Sequence, residues 1–214
     1  DRMRPIPRLL FAIAIGVTFA AYEDWFSPQR MSYPSDFTQP RLAARVLLDG
    51  GNPYEEIGPG RPVAHPYRLV YPMPSAIVAI PFAFVSQRAA DALFMGIGAA
   101  LLVWALTAQT LRNPQLLALV SFPMFVTAQA VQWSPIFTAA TLMPWLGAMY
   151  ACKPSVALAY LLAYPSRIAV LSTAVFVGAT VLIWPSWVPT WLQLLPTLNH
   201  MSAPTGAQAP TPSA

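Results

Sequence analysis

Charge is what this chain has least of. Only 9% of its 214 residues are Asp, Glu, Lys or Arg, where a soluble domain carries about 25%. With 56% hydrophobic residues, the chain cannot clothe a water-facing surface, and a polytopic membrane protein is the class that composition leaves. The net charge of +4 is small and scattered. Without a basic stripe, a nucleic-acid partner is excluded. The single cysteine, Cys152, excludes an intramolecular disulfide and a thiolate metal cage; in its apolar run it reads as a small core residue. The only histidines, His65 and His200, both fall outside the apolar runs. None is therefore placed to ligate a pigment or haem, and each reads as a surface or interface residue. No glycine-rich phosphate loop, zinc motif or Ser/His/Asp grouping is visible. No internal repeat supports a small transporter.

Proline, by contrast, is abundant. Its 24 copies predict broken helices and ordered non-helical connections, which a membrane tolerates where protein buries them. The fold class expected is all-α: about six transmembrane helices in a single membrane domain over 1–196. Arg2, Arg4 and Arg8 precede the apolar run 9–22 and place the N-terminus on the cytoplasmic side of the membrane. No small-x-small cleavage site follows that run, so it reads as a retained span. Further spans are expected over 71–86, 89–111, 115–133, 135–151 and 168–184. Residues 155–164 are too short to cross and suggest a half-helix. Arg112-Asn113-Pro114 reads as a tight polar turn. Trp187 and Trp191 sit where an interfacial aromatic belt belongs. Residues 197–214 form a Pro/Thr/Ala-rich tail with little to fold.

The acids are concentrated. Six of eight lie in the external loop 23–70, and none follows Asp91. Within the loop, residues 38–49 predict an amphipathic helix. Pro40 suits its first turn and Gly50-Gly51 its end. Leu42 and Val46 lie on one side and Arg41 and Arg45 on another, which suits a helix in the membrane interface. Just before it stands Asp36. Its carboxylate suits either a helix N-cap or a base, and the residues alone leave both open. The arginines read equally as interfacial snorkelling groups. Lys153, after a broken helix, is the cation whose depth most suggests a role, because charge inside a membrane is expensive.

Asp36-Phe37, the leucine-rich helix after it, Gly51-Asn52-Pro53-Tyr54, Tyr71-Pro72, Gln132 and Lys153-Pro154 together resemble a known pattern. They are similar to the glycosyltransferase C-fold proteins of family 87, polyprenol-phosphate-mannose-dependent mannosyltransferases, over roughly residues 9 to 196. The resemblance implies sugar transfer from a polyprenyl-phosphate donor lying among membrane lipids, with Asp36 as catalytic base. It implies Lys153, Arg68 and Arg41 as candidates for the donor phosphate, and Tyr54, Tyr71 and Gln132 as further binding residues. It implies no certain cofactor and leaves room for a divalent cation near Asp36. Two positions depart from the family pattern. Met73 separates Pro72 from Pro74, and Val131 stands where a glycine precedes the glutamine. Family members also continue with several more spans where this chain stops. The alternative is therefore a non-catalytic accessory subunit built on the same scaffold, with other membrane subunits of a larger complex holding its tail.

Overall fold

The computed structural model describes residues 5–26, 34–108 and 114–198. Arg2, Arg4, the Arg112-Asn113 part of the expected turn, His200 and the tail after 198 lie outside the described residues. The described chain is mostly helical. α1 spans Pro5–Phe26, α2 Thr38–Leu48 and α3 Pro53–Glu56. Ile57–Gly58 and Val63–Ala64 then pair as a minimal parallel ladder, β1 and β2. α4 (Met73–Ala79), α5 (Gln87–Leu106), α6 (Phe122–Ala130) and α7 (Ser134–Leu142) follow. α8 (Pro154–Ala163), α9 (Arg167–Ile183) and α10 (Trp187–Leu198) complete the chain.

Among the described residues, only α1 and α5 are each long and apolar enough to cross a membrane, and a third crossing is available if α9 and α10 count as one broken span, bent by 105°. The six continuous spans expected are thus not all present as such among the described residues. Proline is the physical reason. Pro81 falls in a 3-10 turn, Ile80–Phe82, that finishes the short α4; Pro114 and Pro144 open 3-10 segments over Pro114–Val120 and Pro144–Cys152. A proline lacks the amide that would bond one turn back. The run 71–86 therefore yields ten helical residues, Met73–Phe82, only about 15 Å of rise against a core of about 30 Å. The half-helix expected near 155–164 is α8, ten residues long.

α1 and α5 form the spine, and they run antiparallel. Arg8 meets Trp104 at one end, Gly16 meets Gly96 in the middle, and Asp24 meets Arg88 at the other end. Hydrocarbon gives little drive for two apolar helices to leave lipid, so close approach of small residues must supply the packing. A Cβ on Gly96 would stand 2.8 Å from the Gly16 carbonyl oxygen, and one on Gly16 only 2.7 Å from that of Gly96. The ends are closed by charge. The Arg8 guanidinium donates to the Trp104 carbonyl at 3.0 Å and lies 3.7 Å over its ring. Arg88 donates to both oxygens of Asp24, at 2.5 and 2.7 Å. The outward face of α1 is bare, with Leu10 62% and Val17 63% exposed.

α2 begins and ends where its sequence signals stand, and much of it is buried against protein. Gln39, Pro40, Arg41, Ala43, Ala44 and Val46 are buried, and the helix packs on α4 and α3. The amphipathic pattern is satisfied by protein. Gly50, just past the helix, has φ +78° in open space, the left-handed stop that glycine adopts without cost.

Gly96→Leu should push α1 off α5 and destabilise the fold by about 1–3 kcal/mol, a fall of about 2–10 °C in Tm. Gly178→Leu, where a Cβ meets nothing within 4 Å, should leave Tm unchanged. Thermal unfolding of both variants in detergent makes the comparison.

Candidate functional site

Ser35, Asp36 and Phe37 sit just before α2 and are fastened by three different interactions. The Ser35 hydroxyl donates to Asp91 Oδ1 at 2.8 Å. The Asp36 amide donates to the Ala130 carbonyl, at the end of α6, at 3.0 Å. The Phe37 ring is fully buried and stacks on Phe94 of α5, with centroids 4.0 Å apart. Phe82 and Trp133 meet it edge-on. With neighbours on both sides buried, the Asp36 side chain is left at the wall of a cavity of about 460 Å³.

Asp36 is not a helix cap. The residue in the cap position of α2 is Phe37, and no side chain bonds to the free amides there. Instead Lys153 Nζ donates to Asp36 Oδ2 at 2.7 Å and to Gln132 Oε1 at 3.1 Å. Lys153 is delivered by the break between the 3-10 segment and α8, and its ammonium lies 5.7 Å from the Tyr71 ring centroid. The Tyr71 phenol is buried beside the carboxylate. Burial first, then the Asp36 charge, push its ionisation up, so it remains a neutral hydroxyl. The pair stays reachable, since the Lys153 side chain is 23% and the Asp36 side chain 35% exposed.

Four of the residues singled out from sequence thus converge: Asp36, Lys153, Gln132 and Tyr71. The other three are occupied elsewhere. Arg41 is buried and closes the end of the α4 segment, donating to the Phe82 carbonyl at 3.1 Å, to the Val85 carbonyl and to Gln87 Oε1. Arg68 donates to the Tyr54 carbonyl at 2.8 Å. The Tyr54 hydroxyl donates to the Tyr71 carbonyl at 3.4 Å. None of the three lines the cavity. They shape the loop that forms its wall.

Apolar residues contribute to the cavity lining. Val70, Pro72, Trp191 and Leu195 line it, and Trp191 Nε1 donates to the Val70 carbonyl at 2.9 Å, fixing α10 across the opening. Trp187 is buried and packs near Trp191. Both tryptophans expected in an interfacial belt thus contact protein. His65 also differs from expectation. It is buried and lines the cavity, because Gln39 and the Tyr67 backbone hold its ring inward. Burial lowers its pKa. Nothing in the local sequence marks His65, Gln39 or Trp191 for this place, since all three arrive through contacts distant in the chain. Among the described residues no group of three His, Cys, Asp or Glu side chains is close enough to hold a metal ion. The partner at Asp36 is the Lys153 ammonium.

Val131 carries strain at the site. It ends α6 with φ +53° and ψ +54°, a left-handed conformation costly for a β-branched residue. Its side chain is fully buried. Val131 joins Ala130, whose carbonyl holds Asp36, to Gln132, which holds Lys153.

Arg41→Met leaves two carbonyls without their charged donor and should cost about 3 kcal/mol of stability, read by denaturant unfolding in detergent. Comparison of the chain with protein-family models, with curated proteins and with solved structures yields no match.

Proposed function

We propose that the cavity binds a polyprenyl-phosphate sugar and that the chain transfers the sugar to an acceptor hydroxyl, with Asp36 as base. The observation that carries this reading is the Asp36–Lys153 pair at 2.7 Å, set in a cavity lined by both polar and apolar residues. An amphipathic anion matches that mixed lining. Its phosphate would take the Lys153 ammonium as a charge-assisted partner, and its prenyl chain would lie along Trp191 and Leu195. Exchange of the ammonium from carboxylate to phosphate would leave Asp36 free to accept a proton.

In the transfer step the acceptor hydroxyl gives its proton to the Asp36 carboxylate as its oxygen bonds to the anomeric carbon. The bond from that carbon to the phosphate oxygen breaks. Its electron pair stays on the phosphate, and polyprenyl phosphate leaves against Lys153. The neutral Tyr71 hydroxyl beside Asp36 orients the carboxylate. In this reading the proline-broken segments between 73 and 152 lie in the bilayer beside α1 and α5. The N-terminus is cytoplasmic, and the cavity opens on the outer side of a bacterial inner membrane.

The test is mannose transfer from decaprenyl phosphate mannose by the purified chain in proteoliposomes. Asp36→Asn should lower the rate by about 10²–10⁴-fold. Lys153→Met should weaken the donor by about 10–100-fold, chiefly in KM. A rate indifferent to Asp36→Asn would sink the base assignment. No transfer by the parent chain would favour the non-catalytic subunit.

A further inference from the structure

The break between α9 and α10 separates a closely packed helix from one held in a different way. A residue before proline avoids the helical region, so Trp184, with φ −142° and ψ +86°, ends α9 ahead of Pro185. α10 then leaves at 105°. On the α9 side the packing is tight. A Cβ on Gly147 would stand 2.5 Å from Ala169 Cα, and the Thr173 hydroxyl donates to the Gly147 carbonyl at 2.7 Å. On the α10 side the first residue, Trp187, is buried, whereas Leu192 further along is 51% exposed. Between them Trp191 Nε1 reaches the Val70 carbonyl at 2.9 Å.

Position gives that bond its importance. Trp191 and Leu195 stand one turn apart and both line the cavity beside Asp36, so α10 supplies part of its wall. Val70 lines the same cavity, and its amide donates to Gln39 Oε1 at 3.1 Å. The acceptor of the Trp191 bond is therefore fastened to α2. α10 carries no charged side chain, and its partly buried residues Val188, Trp191 and Leu194 pack on the core as apolar groups. A segment joined to its protein by slight apolar packing and one side-chain bond belongs to the low end of local stability. An element terminus such as 184–186 is where a hinge forms.

We propose that α10 is a gate through which a prenyl phosphate enters and leaves the cavity. Opening breaks the Trp191–Val70 bond and turns α10 about residues 184–186, with buried Trp187 as the fixed end. Trp191 and Leu195 leave the wall, and a lipid chain passes. Closing remakes the bond and retains the chain. The inference rests on the polyprenyl-phosphate reading of the cavity, but not on catalysis. A ligand that passes only through the open form enters and leaves at rates that both follow the open population. A residue that merely touches the ligand alters chiefly its departure.

Association and dissociation rates of farnesyl phosphate, measured by surface plasmon resonance on the full chain in nanodiscs against empty nanodiscs, test this. Trp191→Phe keeps an aromatic ring but loses the N–H donor. It should raise both rates by about fivefold. Amide hydrogen exchange over 187–196 should rise by a similar factor in that variant, with α1 and α5 unchanged. A second arm uses Val70→Cys with Trp191→Cys in a Cys152→Ala background. Joining the two cysteines with a bismaleimide should slow both rates by about tenfold or more, and this arm also serves if the phenylalanine variant does not fold. A rise in dissociation alone, unchanged exchange over 187–196, or a joined form that exchanges lipid as fast as the unjoined one overturns the gate. Any of these with farnesyl phosphate still bound leaves the lipid reading intact. Gated binding without sugar transfer removes the transferase and leaves this inference standing. Failure of the parent to bind farnesyl phosphate removes both.

Discussion

The bond between Lys153 and Asp36 joins residues 117 positions apart, and the rest of the site follows from it. Each group offsets the other's charge where both are partly buried. The carboxylate comes from the loop before α2, and the ammonium from a break between two helical pieces. Closing the pair brings the first loop onto α6, the 3-10 segment and α8. Gln132 and Tyr71 complete the surroundings, one through its amide oxygen on the ammonium and one through a phenol kept neutral by burial. The pair also remains partly exposed. Its contribution to stability is accordingly modest, and its importance lies in position.

That position is held by apolar and small-residue packing. Phe37 is wedged among Phe94, Phe82 and Trp133, so the backbone on either side of Asp36 cannot shift without opening the core. Asp91 anchors Ser35 from α5 and also accepts from Gln87 at 2.7 Å, while Gln87 accepts from Arg41. A polar network thus runs from the loop to the start of α5. α5 is in turn fixed against α1 by the approach at Gly16 and Gly96. The scaffold and the site therefore share one helix, and what steadies the spine steadies the carboxylate.

Much of this was legible in the residues, for identifiable reasons. Pro40 and Gly50-Gly51 are local signals with local effects, and α2 starts and stops by them. The length of the apolar run in α5 and the shortness of α8 were equally local. Low charge made Asp36 and Lys153 conspicuous, and their pairing gives a reason for both. What could not be read were choices made by distant contacts. Arg41 is drawn to carbonyls at the end of the α4 segment and is buried there, on the side that the sequence alone read as polar. His65 is turned inward by Gln39, and Trp191 reaches the Val70 carbonyl, neither through any nearby pattern. Prolines announced breaks, yet whether a broken run still crosses depends on what its pieces pack against.

The left-handed turn at Val131 has a consequence for how the site is maintained. In this conformation a valine is held against a local preference of about 1–2 kcal/mol, and the burial of its side chain is what opposes relaxation. The residues on either side carry the anchors of the carboxylate and of the ammonium. The end of α6 therefore behaves as a latch under tension rather than a passive hinge. If the core around Val131 loosens, the backbone gains by unwinding, and Asp36 and Lys153 lose their supports in the same motion. Loss of packing and loss of the charged pair are then a single event.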